Sequence, residues 1–197
     1  MGEIKEAFMA IYAAEVLSVD AIYSSDFSYS LPRNVLEGFG KGLGFPENKI
    51  EYTPEEFKLL MEDIQDIWNR IIASNPAQGT KAVITAGAPG VGKTTIVRGL
   101  WEQQKNSKER YAYICPDDIC LKEMTRTYGA MVQANGSPEG LRQAYEKWRG
   151  GSNFAHHLIT AHLIRGHYNF YFGTTASSDK TGLFLDFLKK NGYSITI

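Results

Sequence analysis

Apolar side chains recur along this chain with two different periods, and the change falls near residue 80. In residues 53–72, Phe57, Leu60, Met61, Ile64, Ile67, Trp68, Ile71 and Ile72 return at three- and four-residue spacing, the mark of a helix that buries one face. Its start is written in "TPEEF". Thr53 can cap, Pro54 suits the first turn, and Glu56 completes a capping box. The opening "MGEIKEAFMAIYAAEVL" is also amphipathic, and a Ser-, Gly- and Pro-rich run separates the two helices. Residues 1–80 are therefore expected to form a helical N-terminal segment.

From Lys81 onward short apolar runs alternate with helical stretches. "KAVITAG", "YAYIC", "YNFYFG" and "YSITI" read as strands. Between them lie a helix from Lys93 to about Gln104, a long helical region starting at Ile119, and "DKTGLFLDFLKKN". The long region breaks near "NGSPEG" and resumes through "NFAHHLITAHLI" toward Arg165. Alternating strands and helices predict an α/β fold. The expectation is a P-loop NTPase-type parallel sheet flanked by helices over residues 81–197, preceded by the helical segment.

Composition narrows this little. The 197 residues are 43% hydrophobic and carry a formal net charge of -1, which gives no sign of a broad nucleic-acid surface. Cys115 and Cys120 are the two cysteines, too few for a disulfide framework, so a reducing, cytoplasmic compartment is expected. The N-terminus lacks the basic head and unbroken apolar core of a signal peptide. Position 6 is Glu where a myristoylation signal after Gly2 needs Ser or Thr. No stretch approaches the ~18 consecutive apolar residues of a membrane span.

The chemistry is concentrated in "ITAGAPGVGKTT". Gly87, Gly92, Lys93 and Thr94 match G-x-x-x-x-G-K-[ST], with an apolar strand before and a helix after. Gly87, Ala88, Pro89, Gly90, Val91 and Gly92 would form a loop that turns its backbone N–H groups, which all but Pro89 carry, toward phosphate oxygens, together with Lys93, Thr94 and Thr95 at the helix start. Lys93 would bridge the outer phosphates of ATP, and Thr94 would offer its hydroxyl to Mg²⁺. The glycine-rich run "GFGKGLG", residues 38–44, has no strand before it and no Lys-Thr pair opening a helix after it. It is expected to be a loop.

The second strand runs into "CPDDICLKE", which places Asp117 and Asp118 just past its C-terminal end. Ligands sit at that edge of parallel sheets. A carboxylate there can take the proton of an attacking hydroxyl, and its neighbour can hold Mg²⁺ through water. Both could also cap the helix that follows. The third strand ends in "FGTTASS" without the carboxylate that a hydrolase would use to grip the metal, so a kinase is favoured.

In "GAPGVGKTT", "PDDICLK", "GSNFAHHL", "YNFYFGTT", Thr181 and "LKKNGYSITI", the chain from Lys81 to Ile197 resembles the zeta-toxin family. These are phosphoryl-transfer toxins that phosphorylate UDP-N-acetylglucosamine on its sugar. The resemblance implies that Asp118 is the catalytic base, which leaves Asp117 as the neighbour that can hold the metal, beside Lys93 and Thr94 of the phosphate loop. It also points to Asn153, His157, Thr174 and Thr175 as acceptor contacts; His157 stands where the family has an acidic residue. After the third strand the family reads Glu-Gly-Thr and then Arg, whereas this chain keeps Gly173 with Thr174 or Thr175 and has neither the Glu nor the Arg. Family members continue past the strand equivalent to "YSITI" into a segment with phosphate-clamping arginines, so the expectation is a piece cut from a longer chain. A helical protein antitoxin is an implied partner.

Two other readings stand beside this one. A polynucleotide 5'-hydroxyl kinase also follows its phosphate loop with an Asp-Asp pair, but it needs a basic channel. A nucleotide-binding interaction module without catalysis would use residues 1–80 as its partner surface. His156, His157, His162 and His167 are read as helix-surface or groove residues rather than metal ligands. Trp148 and Tyr145 are read as packing, and the charged run around Lys105 to Arg110 as a solvated loop.

Overall fold

A computed structural model of the chain describes residues 52–104, 106–174 and 180–197. The first predicted helix, the 38–44 loop and Thr175 lie outside the described residues. The described residues divide into two compact units, one drawn from residues 69–115 and 160–197, the other from residues 52–68 and 116–159.

The first unit is built on four parallel strands. These are β1 (Lys81–Thr85), β2 (Ala112–Ile114), β3 (Phe170–Gly173) and β4 (Ser194–Thr196), in the order β2-β3-β1-β4. Ala82 and Ala112 both pair with Phe170, and Lys81 pairs with Ser194. The near-continuous apolar run of β3 follows from its position between two strands with both faces covered. Helix α2 (Lys93–Gln104) covers one face. There Val97, Tyr111 and Tyr171 are buried with Val83, Leu100, Trp101 and Tyr113 against them. Helix α6 (Lys180–Lys190) serves the other face, where Phe184 stacks on Phe172 with ring centroids 4.4 Å apart. Tyr193, buried just ahead of β4, donates its hydroxyl to the Tyr168 carbonyl at 2.8 Å.

In the second unit, helix α1 (Pro54–Ala73) supplies its residues up to Trp68. The predicted capping box is present: the Glu56 N–H donates to Thr53 Oγ1 at 3.2 Å and the Thr53 N–H to Glu56 Oε2 at 3.0 Å. Leu60, Ile64, Ile67 and Trp68 are buried, as their periodicity requires. Gly151, on helix α5 (Pro138–Arg165), lies against this face; a Cβ there would stand 3.2 Å from both Leu60 methyls. Trp148 is packed as expected, stacked on Tyr52 at 4.7 Å.

The region after Asp118 departs from the predicted regular helix. A short turn α3 (Pro116–Asp118) leads into π-helical turns at Ile119–Glu123 and Thr125–Gly129, then α4 (Ala130–Ala134). The Met124 N–H reaches the Ile119 carbonyl and the Gly129 N–H the Met124 carbonyl, five residues back in each case. The cause is a distant carboxylate. Asp63 on α1 accepts from the Arg126 N–H at 3.1 Å, the Thr127 N–H at 3.0 Å and Thr127 Oγ1 at 2.7 Å. Two backbone donors are thus claimed from outside the helix, and the local winding opens around them. Among the described residues, no helix is long and apolar enough to cross a membrane.

Candidate functional site

The phosphate loop leaves β1 at Thr85 and enters α2 at Lys93. Gly90 and Gly92 have φ of 79° and 85°, where a Cβ would cost on the order of 1–2 kcal/mol. Nothing stands within 4 Å of a Cβ at either position, so the backbone rather than crowding demands glycine there. The Ile96 N–H closes onto the Gly92 carbonyl at 3.0 Å. The first-turn N–H groups ahead of it have no carbonyl one turn back and carry the positive end of the helix dipole. Such a cradle fits an anion.

Lys93 Nζ donates to the Ala88 carbonyl at 2.7 Å, folding back over the loop. A cationic arm held on one neutral acceptor can exchange it for a phosphate oxygen. Thr94 places its hydroxyl 3.7 Å from the Cys115 thiol, just beyond the end of β2. The Thr174 N–H donates to the Thr85 carbonyl at 2.9 Å, tying the end of β3 to that of β1. Thr95 and Val91 face solvent. Residues 87–95 and Thr174 thus belong to one sheet edge in the first unit.

Asp117, Asp118, Asn153 and His157 belong to the second unit. Asp118 is buried, 8% exposed, and its carboxylate meets Lys122 Nζ at 3.1 Å. It makes no side-chain capping bond at the turn that follows it, so capping does not account for its burial. Asp117 is half exposed and ion-paired with Arg149 of α5, whose guanidinium also lies 5.6 Å from the Tyr145 ring centroid. Ser152 Oγ donates to the Pro116 carbonyl at 2.5 Å. Arg149 and Ser152, one helical turn apart, therefore fasten the Asp117–Asp118 segment to α5. Asn153 and His157 follow on the same helix and are partly buried.

Sequence reasoning did not assign a role to Arg149, although an acidic pair needing a counter-ion was a signal for it. His156 also differs from a surface histidine. It is buried, and desolvation, with the charges of His157 and Arg149 adding to it, holds its imidazole well below the usual range and so neutral. No group of three or more His, Cys, Asp or Glu side chains suited to a metal occurs among the described residues.

A family model described as Zeta toxin matches residues 65–197, about two thirds of the chain. The chain belongs to the zeta-toxin family. Among solved structures, a chain from the PezAT chromosomal toxin-antitoxin system of the human pathogen Streptococcus pneumoniae is similar at 22% identity, with a TM-score of 0.46. The similarity covers 74% of this chain and 56% of that one, so this chain spans little more than half of that neighbour's length. No curated protein matches the sequence. As a zeta-toxin family member, the chain carries Phe172 immediately before Gly173. That Phe is 2% exposed and stacked on Phe184, so the position is part of the apolar core.

Proposed function

We propose that this chain transfers the γ-phosphate of Mg·ATP to a hydroxyl of a nucleotide sugar such as UDP-N-acetylglucosamine. The observation that carries the nucleotide half is the loop itself: three glycines at positive φ, Gly87, Gly90 and Gly92, a helix start behind them, and Lys93 and Thr94 at that start. Backbone N–H groups of residues 87–95, Pro89 excepted, hold the phosphates, and Lys93 leaves the Ala88 carbonyl to bridge the outer two. Thr94 is the hydroxyl ligand for magnesium, which when bound neutralises phosphate charge. Asp118 takes the proton of the attacking sugar hydroxyl. Asp117 bears on the metal through water.

Asn153, His157, Thr174 and Thr175 are assigned to the acceptor. With His157 in place of a family carboxylate, the acceptor meets a group that can donate as well as accept, which bears on which sugar is taken. A protein antitoxin is the proposed partner, on the strength of the family and of the toxin-antitoxin system to which the neighbouring structure belongs.

The test follows γ-labelled ATP with Mg²⁺ in the presence of UDP-N-acetylglucosamine and a 5'-hydroxyl oligonucleotide together. Label on the sugar is the expected result. Label on the oligonucleotide would replace this reading with a polynucleotide kinase, and nucleotide binding without any label would leave an interaction module.

A further inference from the structure

Beneath the phosphate loop, the end of the sheet holds a hydroxyl that the fold itself does not use. Thr85 is the last residue of β1, and its Oγ1 is buried without a hydrogen-bond partner. Strand alternation puts Thr85 on the same face as Val83, which packs against the buried cluster formed by Val97 of α2 with Tyr111 and Tyr171. Thr85 therefore lies on the side covered by the helix that carries Thr94. Parallel register sets it opposite Gly173. A Cβ on Gly173 would stand 3.8 Å from Thr85 Oγ1 and 4.0 Å from Cys115 Sγ, and that sulfur is 3.7 Å from Thr94 Oγ1.

The Thr85 hydroxyl and the Cys115 thiol thus border the space that Gly173 leaves without a side chain, and the Thr94 hydroxyl at the start of α2 lies against that thiol. A buried hydroxyl with no partner is destabilising. Valine would fill nearly the same volume without that penalty, so the oxygen is a cost to the free protein that a bound state can offset. Water held by a divalent cation is a strong donor and needs an acceptor to orient it. Strand β3 ends in Phe172 and Gly173 and is followed by Thr174, none of them a carboxylate.

We propose that Thr85 is a positioning residue for the nucleotide's divalent cation, its hydroxyl accepting a hydrogen bond from a water of that cation's shell. This rests on the Mg·ATP reading above and adds to it a residue outside the phosphate-loop motif. Such an oxygen affects the metal-dependent part of nucleotide affinity and leaves the rest alone.

Thr85→Val and Thr85→Ser in the full chain test it, with binding of a fluorescent ATP analogue measured in Mg²⁺ and in EDTA, and melting of the ligand-free proteins alongside. Thr85→Val is expected to lose about ten- to hundredfold of affinity in Mg²⁺. Its affinity in EDTA and its ligand-free melting temperature should stay level, or the latter rise. Thr85→Ser should behave as the wild type. An unchanged Mg²⁺-dependent gain in Thr85→Val overturns the proposal, as does equal loss in Mg²⁺ and EDTA, a lowered ligand-free melting temperature, or a serine that behaves like the valine. A wild-type chain that binds no nucleotide overturns the Mg·ATP reading and this proposal together; a wild type that binds beside an unaffected valine variant overturns only the role of Thr85.

Discussion

Asp63 and Asp118 are both carboxylates buried in the same unit, and they differ in what meets their oxygens. Asp63 is fully enclosed and receives two backbone N–H groups and a hydroxyl from Arg126 and Thr127. Asp118 meets an ammonium whose side chain is 54% exposed and does no capping. Burial alone therefore does not mark a reactive carboxylate. One whose lone pairs are taken by backbone donors is part of the scaffold. One that meets the exposed end of a lysine can trade that partner for a substrate hydroxyl.

The same substitution at both sites separates these roles. Asp118→Asn keeps the shape and removes the carboxylate proposed as the base, and transfer should fall by about three powers of ten, ~4 kcal/mol in the barrier. Nucleotide affinity and melting temperature should stay close to wild type. Single-turnover transfer beside analogue binding would show this, and retention of full transfer would end the distinction drawn here.

Asp63→Asn is expected to do the reverse. An amide must turn its NH₂ group toward either the Arg126 donor or the two Thr127 donors, leaving buried N–H groups facing one another. The cost is about 2–4 kcal/mol of stability, read by urea unfolding, with transfer per folded molecule unchanged. Burial raises the Asp63 pKa, with hydrogen bonds from Thr127 and Arg126 pulling it partly back. A raised folded pKa contributes stability that is complete below the unfolded value, 3.8, and is lost as pH rises through the folded one. The stability gap between wild type and Asp63→Asn should therefore widen as the solution is acidified from neutral.

That contrast also explains what could be foreseen. The phosphate loop was legible because its determinants are local: positive φ at Gly90 and Gly92 and a helix start at Lys93 all lie within a few residues. The strands were legible because "KAVIT" and "FYFG" sit inside a sheet covered on both faces, where apolar runs are required. The π-helical turns after Asp118 were not. "ICLKEMTRTYG" has ordinary helical composition, and its winding is set by Asp63, more than 60 residues earlier in the chain. The Arg149–Asp117 pair is likewise made across 32 positions. Thr85 looked like the end of an apolar strand, and only its packing reveals an oxygen without a partner.

Smaller changes probe the frame around the two carboxylates. Thr53→Ala breaks the capping box at the head of α1, the helix that presents Asp63. It should cost about 1 kcal/mol, measured by denaturant midpoint, without the loss of transfer expected at Asp118. A drop as large as that of Asp63→Asn would mean that the anchor depends on the whole helix rather than on its own three donors.

The smallest effect is expected where a carboxylate is paired but wholly exposed. Glu139 on α5 takes hydrogen bonds from Arg142 and Gln143, which, with the arginine's charge, hold its pKa down to about 2. A depressed pKa has the opposite sign to that of Asp63. Its contribution is present above the unfolded value of 4.5 and is lost as pH falls toward 2. Melting temperatures of wild type and Glu139→Gln at low salt should differ slightly above that window and converge below it. Because the pair stands in water, ~0.15 M salt should screen most of the difference even at neutral pH. A gap that survives salt would give an exposed ion pair the weight assigned here to buried hydrogen bonds, and the ordering of these carboxylates by the partners they hold would fail.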